Sequence, residues 1–414
     1  MKSRFFLIIL LLAILAVTLA GGFTLLWRFL IFLVVILLFS YLWQRLSIHG
    51  IDGKVKILPD RCQVGKYFEE EFTVSNHGRL PTSLIELRED TDLPGYHNAL
   101  AFSLFRRDSH SWRTRIFCQR RGQYSLGILN AKITDPLGFF PRYRGFGEPQ
   151  KILVYPRIVD LPFFQVLPRQ EPAMGLRRWL SSEVGPNAAR VREYTSGDSL
   201  RHIHWHTTAH TGVLMVRDYD PDRSHYAFKS IWIVLDMHRA SQSGEGDETT
   251  EEYGIVVAAS LAEKYLSSGK SVGLIASGDR PYLFLPEVGD QQRHHIMEAL
   301  ALLKATGNVA IDTLLTSQTG RFDAGSAIIV ITPSDNQGIA TLLRRIADRG
   351  AIVTAILLDS LSFGGNINAA TTANSLISSG LQAHVVRRGV DIARALDSRL
   401  LSSNIPYIRD RVSK

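Results

Sequence analysis

The stretch from Phe5 to Trp43 is apolar almost without interruption, and Arg28 is its single charge. Built as one helix at about 1.5 Å per residue, it would be roughly 58 Å long, against a hydrocarbon core of about 30 Å. Two spans breaking at Gly21-Gly22 fit that thickness, with Trp27, Tyr41 and Trp43 as interfacial anchors. The pattern therefore predicts a hairpin of two transmembrane helices over residues 1–48. Lys2 and Arg4 precede it, and Arg45, Lys54, Lys56 and Arg61 follow it. The positive-inside rule then predicts a multi-pass protein of the inner (plasma) membrane whose soluble domains face the cytoplasm. The competing reading is a secretory signal with a small-residue site around Thr18 and Ala20, in which case the second apolar run stays as an anchor.

From Ile51 the pattern changes to short alternating runs such as Phe68 to Val74, Ser83 to Leu87, Thr114 to Cys118 and Tyr124 to Leu129. Turn signals at Asn76-His-Gly78, Pro94-Gly95 and Asp135-Pro-Leu-Gly138 separate them, which predicts an all-β sandwich over residues 49–156. Residues 157–229 read as a connecting segment. Beyond Ile231, continuous apolar runs such as Ile231 to Leu235, Ala327 to Ile331 and Ala351 to Leu358 alternate with helical patterns. Runs that continuous suit a parallel sheet covered on both faces, so residues 230–414 are expected to form a doubly wound α/β domain.

Composition narrows the picture. With 414 residues, 45% hydrophobic and 21% charged, the chain has material for several folded cores. The net charge of +8 favours acidic partners or anionic lipid, and no nucleic-acid-binding element is read in the chain. Two cysteines, Cys62 and Cys118, exclude a disulfide scaffold or a four-cysteine zinc site while leaving one bridge open. Gly269-Lys270-Ser271 resembles the end of a phosphate loop, but Tyr265 stands where that loop needs glycine.

The connecting segment carries the most distinctive run, from Val191 through Arg217. Gly197 suits a tight turn, Asp198 an N-cap, Ser199 to His210 a three-turn helix, and Gly212 its stop, with Val213 to Tyr219 returning as a strand. On that helix Arg201, Trp205 and Thr208 share one face, and His202, His206 and His210 share another. Trp205, a large apolar group, is expected to pack at the connector. Arg192, Arg201 and Arg217 surround the turn, either as a buried brace paired with Asp198 or Glu193 or as a dock for a partner's carboxylates.

The run of Arg-Glu-Tyr, Gly-Asp, then Arg, Ile and Trp at alternate positions, followed by Thr-Ala, Gly, Leu, Val and Arg, resembles the signature of the bacterial membrane-associated family called domain of unknown function 58. The likeness extends to Arg121-Gly-Gln-Tyr124, Asp135 to Phe139, Val154-Tyr-Pro156 and Ser277 to Pro281, although His210 stands where arginine is usual. The resemblance implies two amino-terminal membrane helices, a β domain, and a carboxy-terminal domain similar to von Willebrand factor type A. It also implies a MoxR-type AAA+ ATPase as partner, and no established catalysis. Arg192, Tyr194, Gly197, Asp198, Arg201, Trp205, Gly212 and Arg217 are its signature or partner-binding positions. The expectation is thus a membrane-anchored interaction or assembly factor rather than an enzyme.

A type A domain holds a divalent cation on Asp-x-Ser-x-Ser at the end of its first strand. Here that strand ends Asp236-Met-His-Arg-Ala240, with His238 and Ala240 replacing both hydroxyls. Asp236, Ser241 and Asp335 are the residues left to rebuild a degenerate Mg²⁺ site. The alternative function is a zinc- or metal-dependent hydrolase using His202, His206 and His210, since imidazoles one turn apart converge on one ion. Such a helix needs a glutamate beside its first histidine, and Ile203 stands there.

Overall fold

In the computed structural model, the described residues are 12–17, 19, 24–59, 61–166, 190–195, 203–218, 228 and 230–402. The chain divides into two units, Met1–Arg157 with Met297–Leu302, and Ile158–Ile296 with Leu303–Lys414.

The first unit begins with a helix, Thr24–Ser47, that runs into a 3-10 turn at Ile48–Gly50. No proline or glycine interrupts residues 23–49, so nothing breaks the backbone ladder there. Among the described residues this is one helix long and apolar enough to cross a membrane. Residues 12–17 and 19 are also helical, while the predicted break at Gly21-Gly22 and most of the first span lie outside the described residues.

The last turns of this helix meet the β-rich part of the same unit. Ser40 donates from its hydroxyl to the carboxylate of Asp135, and the Gln44 amide donates to the Ile133 carbonyl at 2.6 Å. Ser47 donates to the Pro81 carbonyl at 3.4 Å, and Arg144 donates to the Ile48 carbonyl at 2.7 Å. Gly50 is required by close approach, since a Cβ there would lie 2.4 Å from the Cα of Gly78.

Strands Ile51–Leu58, Tyr67–Asn76 and Ser109–Phe117 form an antiparallel sheet in that order. A second antiparallel sheet runs Ala99–Leu104, Thr82–Asp90, Ile128–Thr134, Arg142–Phe146. The two share one core through Phe72, Val74, Ile85, Leu87, Ile133 and Phe146, as period-two burial along Tyr67–Asn76 demands. A third, small sheet of Arg61–Gln63, Gln150–Tyr155 and Gly122–Leu126 closes over Phe68, Ile116 and the buried free thiols of Cys62 and Cys118.

The second unit holds a six-stranded sheet, ordered Pro281–Glu287, Val272–Ser277, Ile231–Leu235, Ala327–Thr332, Ile352–Leu358, Gln382–Val386. Its neighbours are parallel except for the edge strand Pro281–Glu287. Every residue of the strands Ile231–Leu235, Ala327–Thr332 and Ile352–Leu358 is buried, because helices cover both faces. Trp232, Val234, Ile328 and Val330 pack on one side with Leu315, Ile339, Leu343 and Leu376 of three helices. On the other, helix Thr250–Ser267 comes so close that a Cβ on Gly254 would lie 3.2 Å from Leu235 and 3.3 Å from Leu358.

Candidate functional site

Two places in the second unit bear on function: the signature segment and the carboxyl edge of the sheet. In the segment, Arg190–Glu193 and Met215–Asp218 pair as an antiparallel ribbon, with Arg192 opposite Val216 and Val191 opposite Arg217. The side chains of Arg192 and Arg217 lie outside the described residues, as do Gly197, Asp198 and Arg201 altogether, so the expected brace or dock is not on view. Tyr194 is half-buried and its backbone N–H donates to the Leu214 carbonyl at 2.9 Å.

The helix is shorter than the sequence predicts. It runs Trp205–Thr211, because Ile203 is held extended in a bridge to Val216 and His204 takes the N-cap. The His204 ring accepts from the Thr207 backbone N–H at 3.2 Å and lies 2.7 Å from the Thr207 hydroxyl. Gly212 ends the helix as expected, at φ 72°, where a side chain would be strained. Trp205 is 67% exposed, which corrects the expectation that it packs at the connector. Val213 and Leu214, just past the helix end, are exposed as well. The rings of His206 and His210 lie 6.3 Å apart on the exposed helix, and His202 is outside the described residues. Among the described residues no group of three histidine, cysteine or carboxylate side chains is placed to hold a metal.

At the sheet edge, Asp236 follows the strand Ile231–Leu235 and Thr332 ends its neighbour. The strand order reverses between these two, which is where open α/β sheets collect ligands. Asp236 is buried, and each of its oxygens is engaged by protein donors. The His238 N–H donates to Oδ1 at 3.0 Å, and the hydroxyls of Thr332 and Ser241 donate to Oδ2 at 2.6 and 3.4 Å. Burial pushes the Asp236 carboxyl up from its ordinary range, with the Thr332 hydroxyl and the His238 N–H opposing the rise. The network extends outward: Gln242 donates to the Asp236 carbonyl at 2.9 Å, and Thr250 donates to Gln242 Oε1 at 2.7 Å. Ser243 and Ser360 place their hydroxyl oxygens 2.6 Å apart.

Of the three residues expected to rebuild a cation site, the structure brings Asp236 and Ser241 together. Asp335 is exposed in the turn beyond Thr332, and Thr332 takes the place expected for it. One carboxylate whose oxygens already accept from protein donors falls short of the near-octahedral oxygen set Mg²⁺ demands, so these residues do not fit the ion. The threonine was open to sequence reasoning as the hydroxyl that ends the apolar run Ala327 to Ile331.

Sequence reasoning also missed a carboxylate pair in the first unit, in which Glu70 is buried and Glu89 half-buried. The Tyr96 hydroxyl lies 3.2 Å from Glu70 and 3.2 Å from Glu89, and the Gly127 N–H donates to Glu89 at 2.9 Å. Burial pushes Glu70 up to about 8, and the nearby Glu89 charge adds to the rise. The signal was present, because alternation puts Glu70 on the inward face with Phe68 and Phe72.

A family model described as protein of unknown function DUF58 matches residues 190–362. The chain is 25% identical over 182 residues to the uncharacterized protein YeaD of Bacillus subtilis (strain 168), a match covering 44% of this chain and 43% of that protein. Among solved structures, the CARDB domain of the PF1109 protein from Pyrococcus furiosus aligns with 25% of this chain and 86% of that one, at 18% identity and a TM-score of 0.19. The C-terminal domain of wzt aligns with 26% of this chain and 75% of that one, at 11% identity and a TM-score of 0.21. The family match across the signature ribbon and the sheet edge, with the similarity to YeaD, supports the DUF58 family for this chain.

Proposed function

We propose that this protein is a membrane-anchored interaction or assembly factor of the inner membrane, multi-pass, with its soluble units facing the cytoplasm. Its α/β unit acts as a von Willebrand factor A-like binding module, and its working partner is a MoxR-type AAA+ ATPase. The observation that carries this reading is the exposed Trp205 at the start of the signature helix, with Val213 and Leu214 exposed just past its end. A large aromatic held outside the core by a defined cap and stop is the side chain from which protein interfaces draw most of their affinity. Support for the binding-module reading comes from the strand order and from the hydroxyl network at its reversal point.

The test is capture of the ATPase by the detergent-solubilised full chain. Trp205→Ala is expected to weaken capture at least tenfold without lowering the melting temperature. Undiminished capture would move the interface elsewhere, and no capture by the unaltered chain would remove the ATPase from the proposal. Elemental analysis of the same preparation decides the rival: stoichiometric zinc lost on His206→Ala would make the protein a metal-dependent hydrolase candidate.

A further inference from the structure

The apolar helix and the β-rich part of the first unit share a junction whose burial pattern is inverted. Over its last turns the helix buries Ser40, Gln44 and Ser47 and leaves Leu42 and Leu46 exposed, the latter at 63%. In water that arrangement is unfavourable on both counts, whereas in lipid the polar groups must find protein partners and the leucines stay solvated. With this helix embedded as proposed above, the lipid interface would extend to the level of Leu46. A span of about 20 residues counted from Thr24 ends near Trp43, so Asp135 and Ile133, bonded to Ser40 and Gln44, lie at the depth of the bilayer boundary.

Three loops of the β-rich part converge on this helix end. The loop after Thr134 is tied by Asp135, whose carboxylate also accepts from the N–H groups of Leu137 and Phe140, while the Phe140 ring meets Tyr41 edge-on at 5.7 Å. The loop from His77 to Pro81 touches the helix end, since the His77 N–H donates to the Gly50 carbonyl at 2.6 Å. Asn76 ties in the third loop by donating to the carbonyls of Leu80 and Phe105 at 2.8 and 3.0 Å. At the tips of these loops Leu137 and Phe105 are 47% and 75% exposed. Arg79, Arg106 and Arg107 are exposed on the same loops and Arg45 on the helix end, outnumbering the exposed acids Asp52 and Asp108 there.

We propose that this end of the β-rich part is itself a membrane-binding surface for anionic phospholipid. Phe105 and Leu137 sit at the boundary between headgroups and acyl chains, and Arg45, Arg79, Arg106 and Arg107 pair with phosphates. The inference rests on the membrane anchoring proposed above and deepens it. The helix supplies the anchor, and the loops fix the height and tilt of the β-rich part on the bilayer. Guanidinium groups present a planar fork suited to phosphate oxygens, and exposed apolar tips beside an apolar span are continuous with it.

The test uses the full chain, reconstituted in vesicles of phosphatidylcholine with or without phosphatidylglycerol and labelled with a fluorophore at single introduced cysteines. Cys62 and Cys118 are buried and stay unlabelled under native conditions. Quenching at Leu137→Cys and Phe105→Cys is read with lipids brominated near the glycerol, and quenching at the mid-span control with lipids brominated near the acyl-chain end. The controls are Val35→Cys on the exposed helix surface and Tyr67→Cys, which begins the strand that ends at Asn76 and so lies about 30 Å from the loops. Quenching at Leu137, Phe105 and Val35, several-fold above that at Tyr67, is expected. Quenching at Val35 alone overturns the surface while sparing the anchor, and none at Val35 overturns the anchor itself. Joint replacement of Arg79, Arg106 and Arg107 by Gln should reduce loop quenching in phosphatidylglycerol vesicles to its value in phosphatidylcholine. No change would remove the anionic headgroup from the proposal. Energy transfer between labels at Leu137 on different copies, in place of lipid quenching, would assign the face to a second copy instead.

Discussion

Helices Thr24–Ser47 and Thr250–Ser267 are both rich in aliphatic residues, yet they are built inside out with respect to each other. The second buries Ile255, Val257, Leu261 and Leu266 against its sheet and leaves Glu251, Glu252 and Glu263 at least partly exposed. The first leaves Leu38, Leu42 and Leu46 exposed and buries Ser40, Gln44 and Ser47. Hydrophobicity already separates them, since among the described residues only the first is apolar enough to cross a membrane, and the placement of side chains separates them further. Both helices give their buried hydroxyls protein partners, Thr250 and Ser260 in the second and Ser40 and Ser47 in the first, so the difference lies in these leucines, packed inward in the second and turned outward in the first.

Truncating one leucine in each helix separates the two environments by the largest margin. Leu261→Ala should cost about 2–5 kcal/mol, since it opens a cavity in a packed core, while Leu38→Ala should stay within about 0.5 kcal/mol. Thermal unfolding in detergent measures both, and equal losses would mean that the first helix packs as a soluble core helix does. Next in size is Gln44→Leu, which keeps roughly the size of the side chain but removes the donor to the Ile133 carbonyl. A loss of about 1–3 kcal/mol in the β-rich unit is expected, and an unchanged melting temperature would dissolve the junction.

The Glu70 pair sharpens the contrast from the side of charge. Its folded pKa of about 8 lies above the usual 4.5, so the folded state favours the protonated acid. That contribution is fully present below about pH 4.5 and is lost as the pH rises through about 8. Glu70→Gln should therefore flatten the decline of melting temperature over that window and stabilise the unit at pH 8 by roughly 1–2 kcal/mol. A steeper decline in the variant would show that Glu70 is ionised when buried. The smallest effect is expected at Trp205→Ala, within about 0.5 kcal/mol, because an exposed ring has little packing to lose. A drop of several kcal/mol would return Trp205 to a core and remove it from the proposed interface.

Much of this was legible beforehand because it depends on periodicity. Continuous apolar runs announced the buried sheet strands, alternation announced the β-rich unit, and an unbroken apolar stretch announced the helix Thr24–Ser47. Gly212 was identifiable as a stop, since a left-handed residue after a helix has few alternatives. Glu70 was equally visible on its inward face, and its burial followed from the same period.

What the chain order alone could not decide was which distant polar groups would meet. Ser40 with Asp135, Gln44 with the Ile133 carbonyl, and Asp236 with Thr332 are separated by 95, 89 and 96 residues. Likewise, Trp205 looks like a core residue by composition yet stands on the surface, at the start of a helix that the Ile203–Val216 bridge and the His204 cap shorten. Local sequence determined each element's period and which face of it is apolar. Tertiary structure determined which hydrogen-bond donors reach which buried acceptors, because that depends on how strands and loops far apart in the chain are brought side by side.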